Sequence, residues 1–269
     1  MTDREFQRLV RYSHDQYGID LSAKRVIVEG RLNNYISNRG YNSYTEYFDY
    51  VNADPTKKEA QNLINILTTN HTFFMREFDH MNYFKSTILP WIKEKEKQSR
   101  DMRIWCAACS SGEEPYTLAM IIKDFLGLDY ATWDTMILAT DVSSKVLSKA
   151  IAGRYPSSAL ESVPDVWKRQ HFKACGGDEY QVTDQLKEHV LFRQFNLMHN
   201  LPFKHKMHTV FLRNVMIYFD ENTKNALVEK IYDAMEPGGF LIIGSTESIQ
   251  KTHTRFKYVR PSIFRKGDD

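Results

Sequence analysis

Apolar side chains recur at helical spacing near the start of the chain. Four positions at i, i+3, i+4 and i+7 predict an amphipathic helix that ends near Gly18: Phe6, Leu9, Val10 and Ser13. A second helix is predicted from an N-cap at Ser22 to about Asn38, ahead of Gly40. Its buried stripe, at about 100° per residue, comprises Leu21, Val28, Leu32 and Tyr35.

The helical pattern continues to about residue 69. A third helix should begin near Ser43, and a fourth should follow Asp54-Pro55, where proline suits the first helical turn. We therefore expect a small all-helical domain over residues 1–69. The pattern then stops, because the next stretch has neither helical nor strand periodicity.

That stretch, TTNHTFFMRE at residues 68–77, carries two adjacent aromatics and an arginine. Exposing Phe73 and Phe74 to water would be energetically unfavourable, so we expect a loop that packs over another part of the protein. The segment after it predicts a helix bent at Pro90, whose charged end leads into a strand near residue 103. Residues 70–100 are thus predicted to be a linker that contributes to a site.

From residue 101 to 269, apolar strand segments alternate with helical segments. This alternation predicts an α/β domain with a mostly parallel sheet and helices on both faces. The predicted strands lie near residues 104–105, 136–139, 189–195, 209–212, 240–245 and 258–265. Residues 154–190 are less regular, with Pro156, Pro164 and a Gly176-Gly177 pair, and predict a small antiparallel β insertion.

The segment RIWCAACSSGEEPYTL, residues 103–118, combines a short buried strand, a turn of small residues and a helix start. In α/β proteins such a turn receives a nucleotide-like cofactor. Glu113 and Glu114 at the helix start would repel a pyrophosphate, so an uncharged or cationic nucleoside fits better. Asp141 ends the second strand, where a carboxylate can accept from both ribose hydroxyls, although it could also cap the next helix.

Composition narrows the class of protein. The 269 residues carry a formal charge of +2, with 42% hydrophobic and 13% aromatic content, which predicts a packed core and disfavours nucleic-acid binding. No apolar run reaches bilayer length, and the N-terminus lacks a signal-peptide core. Three cysteines do not make a disulfide framework. We expect a soluble cytoplasmic protein with no membrane insertion.

Several chemistries receive little support. Trp105-Cys106-Ala107-Ala108-Cys109 matches WCxxC, but Cys106 falls on the strand rather than at a helix start, so a redox role is disfavoured. The nine histidines show no metal-ligand spacing, and no metal is expected. There is no GxSxG elbow and no P-loop. Ordinary hydrolysis and phosphoryl transfer are therefore disfavoured.

Six stretches together carry a family resemblance. They run in order from residue 68 to 248: TTNHTFFMRE, SSGEEPYTLA, ATDVSSKVL, FNL, LRNVMIYFD and EPGGFLIIGSTES. With them the chain resembles the CheR family of chemotaxis receptor methyltransferases, which methylate receptor glutamates with S-adenosylmethionine. The resemblance implies a class I, Rossmann-like methyltransferase sheet behind the helical domain. It also implies S-adenosylhomocysteine as product, and it matches the insertion to a β-subdomain that grips a receptor tail peptide in some members.

The resemblance assigns the site by motif position. Asn70, Thr72 and Arg76 would fold over the methionine and ribose parts of the cofactor. Glu113 would contact it from the first turn and Asp141 would bind the ribose hydroxyls, while Glu114 is expected to stabilise the helix N-terminus. The remaining assignments are Asn196 and Leu197 beside the adenine, and Arg213, Asn214 and Tyr218 at the methyl-donor end. Met75, Leu212 and His208 depart from the family pattern, which we expect to change packing more than chemistry.

The mechanism expected from this resemblance needs no general base, because a glutamate is already ionised at neutral pH. Arg76 or Arg213 would orient the substrate carboxylate and Tyr218 would help to position the methyl group. The helical domain would dock the coiled-coil region of a chemoreceptor through Lys24, Arg25, Arg31 and Arg39, although these side chains could equally form a solvated surface. A monomer is expected. Two alternatives stay open: another methyl acceptor, such as RNA or a small molecule, and a cofactor-binding scaffold without catalysis.

Overall fold

Four helices occupy the first 67 residues of a computed structural model that describes residues 1–268. Their bounds are α1 Asp3–Tyr17, α2 Arg25–Asn38, α3 Tyr44–Ala53 and α4 Lys58–Leu67. Thr2 caps α1 in a reciprocal capping box with Glu5, and Gly18 ends it in the left-handed conformation. Ser43 caps α3 through the amide of Glu46. The predicted ends of α1 and start of α3 are therefore confirmed.

Two predicted helix starts are wrong. Helix α2 begins at Arg25, because the Ser22 amide bonds to the Asp20 side chain at 2.9 Å in a turn that delays the helix. Helix α4 begins at Lys58, after Lys57 with a φ of 57°, so Pro55 lies in the preceding turn rather than in the helix.

Within the linker, residues 78–95 form one interrupted helix. Helix α5, Phe78–Tyr83, passes through a π-helical turn, Phe84–Ile88, into α6, Leu89–Lys95. The π turn ends at Ile88, two residues before Pro90, where the missing proline N–H disturbs the regular hydrogen-bond pattern. The interruption expected at Pro90 is confirmed in this form.

The main sheet has seven strands in the order β6-β2-β1-β7-β8-β10-β9. The bounds are β1 Ile104–Ala107, β2 Ile137–Asp141, β6 Val190–Gln194, β7 Met207–Leu212, β8 Met235–Ile243, β9 Lys257–Arg260 and β10 Ile263–Arg265. The first five are mutually parallel, and β10 runs antiparallel to both β8 and β9. The predicted mostly parallel sheet is confirmed, but the single late strand expected near residues 258–265 is a hairpin of two.

Helices cover the sheet, and a small second sheet projects from it. The covering helices are α7 Glu113–Leu126, α8 Ser144–Ala152 and α11 Glu221–Asp233. The projecting sheet has the order β3-β5-β4, all antiparallel, with bounds β3 Arg154–Pro156, β4 Phe172–Ala174 and β5 Glu179–Val182. Two short helices accompany it, α9 Asp165–His171 and α10 Asp184–Lys187. The predicted antiparallel insertion is confirmed.

The two faces of β1 belong to different parts of the core. Ile104 and Cys106 pack with the α5–α6 and α7 side of the sheet. Trp105 and Ala107 pack in a cluster that also contains Leu32 of α2. The helical unit therefore shares a continuous core with one face of the sheet. Within the described residues no helix is both long and apolar enough to cross a membrane.

Candidate cofactor and active site

A cavity of about 930 Å³, its open mouth included, lies at the carboxyl ends of β1, β2 and β7. That edge is where open α/β sheets bind ligands. Six stretches line it, at residues 68–72, 108–110, 141–142, 195–197, 213–215 and 218–219. Single side chains complete it: Tyr17, Ile19, Ile64, Arg76 and Glu114.

The turn after β1 is tightly folded. Ala108, Ser110 and Gly112 all have positive φ, at 60°, 49° and 97°. A side chain at Gly112 would also place its Cβ 2.9 Å from the Cβ of Ala150, so only glycine fits there. This geometry turns the chain sharply from the strand into α7 and brings backbone to the cavity.

Asp141 lies at the end of β2, where it had been expected. One carboxylate oxygen accepts from the Ser110 amide and the other from the Ser143 amide, each at 2.9 Å. Burial raises the pKa of Asp141, and the two amide hydrogen bonds oppose that rise. Each oxygen keeps acceptor capacity on the cavity side. The carboxylate is therefore a fixed double acceptor beside the turn.

The structure exchanges the expected positions of the two adjacent glutamates. Glu113 lies outside the cavity wall, and its carboxylate accepts from the Ser111 hydroxyl at 2.7 and 3.0 Å. Glu114 lines the cavity, accepts from the Cys106 thiol at 2.9 Å and forms an ion pair with Arg213. The contact assigned to Glu113 therefore needs correcting: the residue at the cavity wall is Glu114.

Arg213 also differs from its expected role. It is only 5% exposed and donates four hydrogen bonds, to the carboxylates of Glu77 and Glu114 and to the Arg76 carbonyl. Burial disfavours its charge, but Glu114 and Glu77 outweigh that effect and raise the pKa of Arg213. Because its donors are engaged, Arg213 holds the cavity wall and does not reach out as a substrate-orienting group.

Glu77 joins the linker to the loop after β7. Its carboxylate accepts from the Asn214 amide side chain at 3.3 Å and from the Ser245 backbone at 3.2 Å. Burial alone would raise the pKa of Glu77, yet the His80 hydrogen bond and the Arg213 charge lower it well below 4.5. A permanently ionised Glu77 therefore anchors the start of α5 to the cavity.

Glu247 is a site residue that the sequence did not single out. Its carboxylate accepts from three backbone amides, those of Asn214, Ile217 and Gly244, at 2.7 to 3.2 Å. Asn214 itself has a φ of 58°. Glu247 thus fixes the loop that presents Asn214 and Tyr218 to the cavity. Glu247 lies in EPGGFLIIGSTES, one of the six stretches that carry the family resemblance, and this position is the signal in the sequence that could have identified it.

Residues of the linker form part of the cavity wall. Asn70, Thr72 and Arg76 all line the cavity, and their contacts with a cofactor stay a prediction. Arg76 is half-buried, donates to the His71 carbonyl at 2.8 Å and lies 5.6 Å from the centre of the Phe73 ring. Most of its donors remain free, in contrast to Arg213.

The two linker aromatics behave differently. Phe74 is fully buried and packs edge-on against Tyr155 and Phe172 of the β insertion, with ring centres 5.0 and 5.5 Å away. The Ser162 hydroxyl donates to the Phe74 carbonyl at 2.7 Å. Phe73 is 42% exposed beside Arg76. The expectation of a covering loop is confirmed for Phe74 alone.

The helical unit supplies part of the cavity, which had not been expected. Tyr17 and Ile19, from the end of α1 and the turn after it, lie in the wall. The Asn196 side chain donates to the Gln16 carbonyl at 2.7 Å, so α1 also holds the 195–197 segment in place. Asn196 and Leu197 both line the cavity, and their place beside an adenine stays a prediction.

The four basic residues expected to dock a receptor do not form one free group. Arg25 is paired with Asp3 and Glu29, and Arg31 donates to the Ile66 and Leu67 carbonyls. The Lys24 ammonium lies 5.4 Å from the centre of the Tyr218 ring, at the cavity, whereas Arg39 is exposed at the far end of α2.

The structure shows the surroundings of the cysteines and of His208. Cys106 and Cys109 are buried, and burial raises the pKa of both thiols well above 9.0. No group of three or more potential metal ligands occurs within residues 1–268. His208, at a position of family departure, lies fully buried between the Arg103 amide and Glu96, at 3.0 and 2.9 Å, and so serves packing.

Family models match nearly the whole chain. The model described as "CheR methyltransferase, SAM binding domain" covers residues 70–264, and "CheR methyltransferase, all-alpha domain" covers residues 4–68. The chain belongs to the CheR methyltransferase family. It is an S-adenosylmethionine-dependent methyltransferase.

Individual CheR relatives agree over the same extent. A chemotaxis protein methyltransferase of Borreliella burgdorferi is 36% identical over 99% of this chain and 95% of its own length. A probable chemotaxis protein methyltransferase of Rhizobium etli is 35% identical over 91% of this chain and 95% of its own. Chemotaxis protein methyltransferase 2 of Vibrio cholerae is 31% identical over 99% and 92%.

Proposed function

We propose that this CheR family enzyme methylates glutamate side chains of chemoreceptors, forming methyl esters. One observation carries the proposal to these residues: a fixed double acceptor, Asp141, and a cation with free donors, Arg76, line the same cavity. The first suits a ribose and the second suits a carboxylate. A single cavity that contains both groups can hold a nucleoside cofactor and an acidic side chain at the same time.

The residues present fit S-adenosylmethionine. Asp141 would offer acceptor oxygens to the ribose hydroxyls. The apolar wall formed by Ile19 and Leu197 would suit an adenine, and the Glu114 carboxylate, which is also paired with Arg213, would be an acceptor for a cationic part of the cofactor. Asn70 and Thr72 of the linker would close over the remainder. This arrangement explains why the helix start after β1 carries carboxylates rather than a phosphate-binding loop.

When bound, S-adenosylmethionine supplies a methyl group that is already activated on its sulfonium. The chain need not activate the acceptor, because a glutamate is ionised at neutral pH. What its residues must do is hold the carboxylate in line and exclude water, and such positioning is worth about 7–11 kcal/mol of barrier. Arg76 has the free donors to orient the carboxylate, and Tyr218 lines the wall beside it.

Arg76 should orient the substrate carboxylate without binding it tightly before the transfer. A carboxylate bound as tightly before transfer as during it gains nothing in rate. The guanidinium is tethered at one end by the His71 carbonyl and rests on Phe73, and it remains half-exposed. A tethered, solvated arginine meets this need better than a desolvated one such as Arg213.

We further propose that α2 docks the helical coiled-coil region of a receptor. Val26 and Ile27 are exposed by 83% and 54% on this helix, next to Lys24 at the cavity. An acidic amphipathic helix offers both apolar and negative contacts for such a surface. The cavity is completed within one chain, so a monomer suffices, and three free thiols suit the reducing cytoplasm.

The test is methyl transfer from radiolabelled S-adenosylmethionine to membranes that contain chemoreceptors. We expect label on the receptor band that is released as methanol by mild base, as a carboxyl ester requires. Label stable to base, or label on RNA or a small molecule instead, would refute a glutamate acceptor. Tight cofactor binding without any transfer would favour a scaffold.

A further inference from the structure

Arg31, expected to dock a receptor, is instead directed toward the linker. One guanidinium nitrogen donates to the Leu67 carbonyl at 2.7 Å and to the Ile66 carbonyl at 3.3 Å. The other donates to the Thr69 hydroxyl at 2.8 Å. The last carbonyls of α4 lack partners within the helix, and a cation is favourable at a helix C-terminus. The planar fork of arginine meets all three acceptors at once.

The residues that Arg31 holds belong to the cavity. Thr68 and Thr69 line it directly after α4. The Thr69 amide and carbonyl each bond to the Tyr218 hydroxyl at 2.9 Å, and the next carbonyl, that of Asn70, accepts from Ser110 at 3.0 Å. The start of the linker is therefore fixed at three points, and Arg31 is the one contributed by α2.

We propose that Arg31 is a positioning residue for cofactor binding, which acts through Thr69 and not by contact with a receptor. The guanidinium sets where the linker leaves α4 and so where Asn70 and Thr72 lie over the cofactor. This inference rests on the cofactor site of the proposed function and is independent of the methyl acceptor.

The two roles considered for Arg31 predict different results when cofactor affinity is measured in the absence of receptor. A docking residue affects the KM for receptor and leaves cofactor affinity unchanged in the absence of receptor. A positioning residue weakens the affinity for S-adenosylhomocysteine with no receptor present. Calorimetric titration of the full chain with S-adenosylhomocysteine therefore separates them.

We expect Arg31→Ala to weaken S-adenosylhomocysteine binding about tenfold, as the loss of charge-assisted hydrogen bonds to a binding loop implies. Arg31→Lys should lie between, because an ammonium keeps the charge but cannot span three acceptors. The matched control is Arg8→Ala, which removes an arginine that joins two helices of the same unit through Asp49 at 2.7 Å, away from the linker. It should bind as the wild type does.

A double-mutant cycle locates the effect. Thr69→Val removes the hydroxyl that Arg31 holds while keeping the shape of the side chain. If Arg31 acts through Thr69, the double variant should lose clearly less affinity than the two single losses combined. Fully additive losses would overturn the route through Thr69. Should Arg31→Ala fail to fold, Arg31→Lys and Thr69→Val carry the test alone.

Wild-type affinity in Arg31→Ala, with a raised KM for receptor, would overturn the inference and restore the docking role. That result leaves the proposed function standing. If instead the wild-type chain binds S-adenosylhomocysteine and Arg31→Ala weakens it, but no receptor is methylated, the acceptor proposal fails and this inference stands.

Discussion

The Tyr218 hydroxyl and the Thr69 backbone form a reciprocal pair: the hydroxyl donates to the Thr69 carbonyl and accepts from its amide, each at 2.9 Å. These residues are 149 positions apart, one just after α4 and one in the loop after β7. The pair joins two segments that line the cavity, the one after α4 and the loop after β7. Because both bonds occupy the hydroxyl, they favour a positioning role for Tyr218 over a role in proton transfer.

Replacing Tyr218 by Phe should separate the linker from the wall while keeping the ring. We expect kcat/KM to fall by about 10- to 100-fold, which corresponds to roughly 1.4–2.7 kcal/mol for two lost hydrogen bonds. Steady-state methyl transfer measures this, with Tyr232→Phe on α11 as the control. Wild-type kinetics in Tyr218→Phe would show that the linker holds its place without the pair.

Arg76 is the residue expected to orient the acceptor. Arg76→Ala should abolish measurable methyl transfer and change the free energy of unfolding by less than about 1 kcal/mol, because the side chain is half-exposed and makes one hydrogen bond. Arg76→Lys should recover part of the rate. Urea unfolding and transfer assays on the same preparations check both statements. Turnover near that of wild type in Arg76→Ala would end this role.

Arg213 should give the opposite result. Arg213→Met leaves the carboxylates of Glu77 and Glu114 without their cation in a buried setting, which costs about 3–5 kcal/mol of stability. The midpoint of urea unfolding should fall accordingly. A variant as stable as wild type but inactive would return Arg213 to a direct role in catalysis.

Part of this site could be predicted from the sequence because parallel strands end at one edge. Asp141 and Asn214 follow different strands, yet the order of apolar segments places both at the carboxyl edge. The linker was identified by its lack of periodicity together with Phe74 and Arg76. In each case a local pattern was enough, because the sheet supplies the long-range geometry.

Other features depend on geometry that no local pattern contains. Adjacent residues on a helix point about 100° apart, so the sequence could not tell whether Glu113 or Glu114 faces the cavity. The burial of Arg213 depends on Glu77, which is 136 positions away. The contact of Asn196 with the Gln16 carbonyl spans 180 positions. These pairings follow from how the helical unit and linker pack on the sheet.

The cysteines offer a test of the disfavoured redox role. Cys106 and Cys109 are buried, and Cys175 is exposed. A thiol reagent should therefore titrate one thiol in the native chain and three after unfolding, and Cys175→Ser should remove the native signal. Rapid native labelling of Cys106 would mean that the thiol is activated, against the burial that raises its pKa.

His171, at the end of α9, should make stability depend on pH. Burial first and the Lys123 charge second lower the pKa of His171 from 6.5 to about 4, while Asp124 opposes them. Above pH 6.5 the ring is neutral in both folded and unfolded chains. As the pH falls from 6.5 toward 4, His171 binds a proton in the unfolded chain but not in the folded chain. The free energy of unfolding therefore decreases across this window.

His171→Gln removes that proton uptake. The variant should be less stable than wild type at pH 7.5 because its packing is poorer, and this gap should shrink as the pH falls to 5. Urea unfolding of both chains across the range measures the gap, in which the carboxylates common to both chains cancel. A gap that stays constant with pH would show that His171 titrates alike in the folded and unfolded states, and that the ring is hydrated rather than excluded from water.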